Sequence, residues 1–140
     1  MRYKQLGQTE IEVSEYGLGT WAMGGGAYGI TDDAESIRTI HRAQELGVTF
    51  LDTADVYAGG QAESLLGTVI PDYLRSDLVI ATKAFFRMSD NPNDRGLSRK
   101  HLVESLHKSL RRLGTDYVDI FQCHRFDPDV PIEVPVSGRP

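Results

Sequence analysis

The sequence predicts an α/β fold in which strands alternate with helices after a short N-terminal hairpin. Apolar β-rich runs and capped amphipathic patterns follow one another as hairpin, then β-α-β-α-β-α-β, which is typical of parallel βαβ units. The length of 140 residues suits one ordinary domain. A complete eight-fold β/α barrel needs about 250 residues, so half of a Rossmann fold and part of a barrel both stay open.

The hairpin and the strands are predicted from short apolar runs. Residues 2–6 and 11–14 lie on either side of a turn at Gly7 and predict the hairpin. Four further runs predict strands at 16–19, 48–51, 78–82 and 117–121. The first of these is the weakest because glycine disfavours strands. The other three are apolar nearly throughout, which indicates burial on both faces of a parallel sheet.

Two strong helical patterns and one shorter pattern lie between these strands. Thr31 and Asp32 can cap the first helix, and residues 61–66 predict the short one. Ser98 caps the second strong helix and Gly114 ends it. Its apolar stripe consists of Leu102, Val103, Leu106, Leu110 and Leu113. The last 13 residues hold four of the six prolines and are predicted to be irregular.

Composition argues against several classes of function. Fifteen basic and twenty acidic residues give a net charge of −5, which argues against a nucleic-acid-binding face. The one cysteine, Cys123, can form no intramolecular disulfide and no multi-cysteine zinc site, so we expect no metal. No apolar run approaches the roughly 20 residues of a membrane span, and no signal-peptide core follows the N-terminus. We therefore expect a cytoplasmic protein without membrane insertion or nucleic-acid binding.

The Rossmann interpretation needs a glycine-rich turn between the first strand and its helix. Residues 17–22 read GLGTWA, which matches a variant of that fingerprint. About ten further residues, four of them glycine, separate this match from the first helix. A pyrophosphate bound there would not lie at the helix N-terminus, so the fingerprint is weak.

Four polar residues lie at or just past the ends of predicted strands. Asp52, Lys83 and His124 each follow a strand, and Tyr57 lies in the loop after Asp52. Because strand C-terminal ends converge on one rim of a β/α barrel, these side chains can meet there. Taken singly, each has a structural explanation as a turn cap, a solvated lysine, a loop aromatic or a rim histidine. Their occurrence together favours function.

These four residue types suit acid–base chemistry on a carbonyl group. A tyrosine with its ordinary pKa of about 10 is a poor proton donor at neutral pH. An adjacent ammonium stabilises the phenolate and lowers such a pKa. A carboxylate can hold the lysine, and an imidazole can orient a substrate oxygen. The set can therefore protonate an oxygen while a carbonyl is reduced.

With these residues in place, residues 1–133 resemble the aldo-keto reductase family. The resemblance rests on GLGTW at 17–21, LDTADVY at 51–57, ATK at 81–83 and DYVDIFQCHR at 116–125. It implies that the fold is the N-terminal portion of a (β/α)8 TIM barrel, with the hairpin and about four β/α units. It also implies the NADP(H)-dependent interconversion of carbonyl compounds and alcohols.

The resemblance also implies roles for individual residues. Tyr57 is the expected proton donor, tuned by Lys83 and Asp52, and His124 orients the substrate carbonyl. The residues expected to contact the cofactor are Gly19, Thr20, Trp21 and Asp52. The residues expected to contact a small-molecule carbonyl substrate are Trp21, Tyr57 and His124.

One stretch points to a branch of the family. Residues 96–104, GLSRKHLVE, are similar to the branch that includes cytoplasmic β subunits of voltage-gated potassium channels. A non-catalytic binding or regulatory module is therefore a second interpretation. His124 completes the catalytic set and favours a reductase.

The resemblance stops after Glu133. Residues 134–140 read VPVSGRP, where the family continues into a further helix and four more β/α units. We therefore expect a truncated domain over 1–133, an irregular tail over 134–140, and little or no reductase activity from this chain alone. Two sheet edges would be unpaired, so self-association is also expected.

Overall fold

The computed structural model describes residues 1–26 and 28–136 and begins with the predicted hairpin. Strands β1 (Tyr3–Gln5) and β2 (Glu12–Ser14) pair antiparallel. The hydroxyl of the buried Ser14 accepts a hydrogen bond of 3.0 Å from the backbone N–H of Thr49. This contact fastens the hairpin to the chain just before the second strand of the main sheet.

The main sheet has four parallel strands in sequence order. They are β3 (Gly17–Gly19), β4 (Phe50–Asp52), β5 (Val79–Ala84) and β6 (Ile120–Cys123). The spatial order β3-β4-β5-β6 contains no reversal. In a Rossmann fold the fourth strand of the sheet lies beside the first, whereas here β6 pairs with β5, so the observed order excludes that alternative and confirms the portion of a barrel.

Helices connect the strands and pack against one another in sequence order. They are α1 (Asp33–Glu45), α2 (Gln61–Val69) and α3 (Arg99–Leu113), followed by the single turn α4 (Glu133–Val136). Asp32 and Ser98 accept hydrogen bonds from backbone N–H groups of the first turns of α1 and α3, as predicted. Gly114 ends α3 with a φ of +65°. The core between helices and sheet includes Ile40, Leu51, Leu66, Ile80 and Leu113.

Two expectations for the C-terminal third differ from the structure. The buried face of α3 consists of His101, Ser105, Ser109 and Leu113, whereas most of the apolar stripe is only half-buried and Val103 is exposed. The small serines let α3 approach its neighbours, and Leu113 is the one residue of the predicted apolar stripe that is fully buried. The tail is helical over Glu133–Val136. Pro135 is tolerated there because it lies in the first turn, where a backbone N–H has no partner within the helix. Residues 137–140 lie outside the described residues.

The sheet edges bear on the expected self-association. Within the described residues, β3 pairs only with β4 and β6 only with β5. Self-association through these edges stays a prediction, for which light scattering on the purified chain is the measurement. None of the helices described is both long enough and apolar enough to cross a bilayer.

Replacing Gly67 with alanine should destabilise the fold by about 1–3 kcal/mol. A Cβ at Gly67 would lie 2.2 Å from the carbonyl oxygen of Arg112, so α2 and α3 would have to separate. Urea unfolding measures the change. Gly19→Ala is the matched control, because its Cβ would meet nothing within 4 Å. Equal stability of the two variants would contradict close backbone packing of α2 on α3.

Candidate active site

The four predicted catalytic residues meet at the C-terminal edge of the sheet. Asp52 ends β4, Lys83 lies near the end of β5, and His124 directly follows β6. The Lys83 Nζ donates hydrogen bonds to Asp52 Oδ2 at 2.7 Å, to Tyr57 Oη at 3.1 Å and to the Thr53 carbonyl oxygen at 2.8 Å. The structure therefore brings Asp52 and Tyr57 together around the Lys83 ammonium group.

Lys83 is held in a fixed position with its charge compensated. The residue is only 9% exposed, and its three acceptors use all the donors that an ammonium group has. An unpaired buried ammonium would be very costly, so the Asp52 carboxylate is what allows the charge to remain here. Lys83 thus presents a positive charge directly to the Tyr57 hydroxyl.

Tyr57 is positioned by an unusual turn. It begins the 3-10 turn Tyr57–Gly60, and its N–H donates to the Ala54 carbonyl oxygen at 3.2 Å. Ala58 has a φ of +49° and Gly59 and Gly60 are also left-handed, a conformation costly for a non-glycine residue. This turn reverses the chain from the β4 loop into α2 and leaves the tyrosine ring facing the cleft.

His124 closes the other side of the cleft. Its ring lies edge-on to Tyr57 at 5.8 Å and to Phe86 at 5.0 Å between centroids. Burial lowers the pKa of His124, and the charges of Lys83 and Arg125 lower it further. The imidazole is therefore neutral at pH 7. Its buried Nδ1 has no hydrogen-bond partner in the described part of the chain.

The residues predicted to contact cofactor and substrate follow β3. Thr20 is fully buried, and its hydroxyl donates to the Asp52 carbonyl oxygen at 3.2 Å, which fixes the end of β4. Trp21 is 53% exposed, with its ring 6.3 Å from that of Tyr57. Gly19 has open space where a side chain would lie. Of these residues Trp21 lines the cleft, and Gly19 ends β3, the sheet edge opposite to β6.

The cleft between these groups has a volume of about 380 Å³. Its lining includes three residues that the sequence reasoning missed, Val56, Phe86 and Arg125. Phe86 lies two positions after β5, and Arg125 follows His124. Both therefore occupy the strand-end positions that the barrel rule assigns to the site. They were missed because the sequence reasoning selected side chains suited to acid–base chemistry.

A buried carboxyl group lies behind the site. Asp55 is 1% exposed, and neither of its carboxyl oxygens has a hydrogen-bond partner in the described part of the chain. Burial, and after it the negative charge of Glu63, raises the pKa of Asp55 to about 7 against the opposing effect of the Arg112 charge. The folded chain therefore holds the Asp55 proton up to near-neutral pH.

Replacing Asp55 with asparagine should remove a pH dependence of stability. The unfolded carboxyl releases its proton near its usual pKa of 3.8, whereas the folded one does so near 7. Stability therefore falls as the pH rises between these values, by at most about 1.4 kcal/mol per pH unit. Urea unfolding at pH 5 and pH 8 should show a loss in the parent chain and little change in the variant. Parallel pH profiles would contradict the assignment.

Comparison with known proteins identifies the same family as the sequence motifs do. The model of the family described as Aldo/keto reductase matches residues 15–137. The chain is 46% identical over 134 residues to Aldo-keto reductase YhdN of Bacillus subtilis. It is also 43% and 44% identical over 140 residues to proteins named probable voltage-gated potassium channel subunit beta, from rice and Arabidopsis thaliana. These alignments cover 95–99% of the chain but only 40–42% of the relatives.

Solved structures support the assignment of the fold as part of a barrel. The thermostable aldo-keto reductase Tm1743, crystallised with the inhibitor epalrestat, matches with a TM-score of 0.84 at 39% identity. AKR11C1 from Bacillus halodurans in its holo form matches with a TM-score of 0.84 at 33% identity. The chain is covered to 98% in both cases, and the solved chains to 47% and 44%. The chain thus spans less than half the length of the proteins it matches.

Proposed function

Since the chain belongs to the aldo/keto reductase family, we propose that its site serves the NADP(H)-dependent reduction of aldehydes and ketones to alcohols in the cytoplasm. The observation that carries this proposal is the Lys83 ammonium bonded at once to Asp52 and Tyr57. Family membership supports an oxidoreductase, and this constellation supports proton donation to a carbonyl oxygen in particular.

The residues around the cleft fit a nicotinamide cofactor. The open space at Gly19 and the exposed Trp21 ring leave room for a flat group beside Tyr57. The Asp52 side chain, about one third exposed, can also reach a ligand there. When bound, such a cofactor would supply the hydride that adds to the carbonyl carbon.

The chain's own residues supply orientation and the proton. The neutral His124 imidazole is suited to hold the carbonyl oxygen by a hydrogen bond. Tyr57 Oη then gives its proton to that oxygen as negative charge develops on it. The Lys83 ammonium, 3.1 Å away, stabilises the charge left on Oη.

A chimera tests this proposal. The chain joined to the C-terminal part of Aldo-keto reductase YhdN should oxidise NADPH when aromatic aldehydes are added. The 140-residue chain alone should be at least about 100-fold slower, because orienting the reactants contributes much of such a rate. A folded chimera that binds NADPH without reducing any aldehyde would overturn the proposal.

A non-catalytic binding or regulatory module is the second candidate. The similarity to the plant proteins named as potassium channel β subunits favours it. In that case a Tyr57→Phe variant would still bind its partner, as measured by calorimetry with a cytoplasmic channel segment. The parent chimera would show no aldehyde reduction for the substitution to abolish. Measurable reduction by the chimera would favour the first candidate.

A further inference from the structure

Arg125 is a charged side chain at the cleft that the proposed chemistry leaves unused. It is exposed and follows His124, and its guanidinium carbon lies 5.9 Å from the centroid of the Phe86 ring. Arg125 forms no ion pair with the described residues, whereas other arginines do. Its charge contributes to the lowered pKa of His124, so it acts on the cleft itself.

The cleft beside Arg125 suits a small aromatic compound. Trp21, Tyr57 and Phe86 supply three aromatic walls, and the volume of about 380 Å³ lies near the lower end of the range for ligand pockets. A planar ring bound against these walls would carry one substituent toward His124 and another toward Arg125. The chain therefore offers His124 for the carbonyl and Arg125 as a cation, and both lie beside the Phe86 ring.

A guanidinium group recognises one class of substituent especially well. Its planar fork of N–H donors matches a carboxylate with two parallel hydrogen bonds. Because the whole chain carries a net charge of −5, an anion entering the cleft needs a local cation such as Arg125 to offset repulsion.

We propose that Arg125 is a specificity-determining residue that selects aromatic aldehydes bearing a carboxylate. This inference rests on the proposed function, since it assigns a substrate class to the same cleft. Arg125 acts by binding the carboxylate end, while Tyr57 and His124 serve the carbonyl end.

Binding to the full 140-residue chain tests the inference without turnover. Trp21 is the chain's one tryptophan and borders the cleft, so its fluorescence reports a bound ligand. The probes are 4-carboxybenzaldehyde and its uncharged methyl ester. We expect the acid to bind about tenfold more tightly than the ester at low salt, the size of one charge-assisted hydrogen bond. Added salt should reduce this preference.

Variants separate the role of Arg125 from general charge effects. Arg125→Gln should abolish the preference, and Arg125→Lys should restore part of it. Arg111→Gln is the matched control, because Arg111 is an exposed arginine on α3 that borders a different pocket. Equal affinity for both probes, absence of binding by the acid, or an unchanged preference in Arg125→Gln would overturn the inference.

The two proposals fail in different ways. A preference for the acid in the binding assay, with no reduction by the folded chimera, would leave the Arg125 inference standing and overturn the reductase proposal. Reduction of both probes by the chimera with equal kcat/KM would overturn the Arg125 inference and leave the reductase proposal standing.

Discussion

A Tyr57→Phe variant of the chimera should reduce aldehydes about 10²- to 10⁴-fold more slowly than the parent, the range typical of a lost general acid. The substitution removes Oη and keeps the ring, so the edge-on contact with His124 and the packing against Trp21 are preserved. Lys83 keeps its bonds to Asp52 and to the Thr53 carbonyl oxygen. The loss should therefore appear in kcat, followed by NADPH absorbance, with stability little changed.

A second tyrosine, which packs against Trp21, provides the control. Tyr28 packs edge-on against Trp21, with 5.1 Å between ring centroids, and its side chain is exposed. Tyr28→Phe should leave kcat within about twofold of the parent, because this hydroxyl lies outside the Lys83 cluster. If Tyr57→Phe and Tyr28→Phe reduced aldehydes equally fast, another group would have to protonate the carbonyl, and Tyr57 would be an aromatic wall only.

The parts of the molecule that follow local rules could be predicted from the sequence. Asp32 and Ser98 cap their helices because a short polar side chain directly before a helix can accept hydrogen bonds from the free N–H groups of its first turn. Asp52, Lys83 and His124 were placed together because parallel strands bring their C-terminal ends to one edge. Neither inference needs knowledge of how the helices pack on one another.

The parts that depend on packing between helices could not be predicted. His101 and Ser105 look like surface residues of α3, yet both are buried because Asp94 and Lys108 form a polar cluster around His101. Asp55 looks like one more polar residue of its motif. Only the packing of α2 on α3 shows that it lies beside a buried ion pair. Arg125 was missed because the sequence does not show that it has no ion-pair partner among the described residues.

That buried ion pair joins the helical layer to the sheet. The Glu63 side chain is fully buried. Its Oε2 accepts a hydrogen bond of 2.6 Å from Arg112 Nε of α3, and its Oε1 accepts one of 2.6 Å from the Thr82 hydroxyl of β5. Because Thr82 directly precedes Lys83, the same carboxylate also holds the strand that carries the Lys83 ammonium.

Replacing Glu63 with glutamine should therefore lower the free energy of unfolding by about 3–5 kcal/mol, the cost of leaving a buried charge without its partner. Glutamine preserves the shape of the side chain, so the loss measures the removal of the negative charge that faces Arg112 rather than the creation of a cavity. Glu35→Gln is the matched control, because its ion pair with Arg38 is exposed to solvent and should contribute little to stability. Urea unfolding of both variants against the parent gives the comparison.

The same substitution has a second consequence that separates charge from packing. Since the Glu63 charge raises the pKa of Asp55, its removal should bring that pKa down, and the decline in stability between pH 5 and pH 8 should become shallower in Glu63→Gln. A variant that lost stability equally at every pH would show that the Glu63 charge does not act on the pKa of Asp55. A variant within about 1 kcal/mol of the parent would show that Arg112 finds another partner.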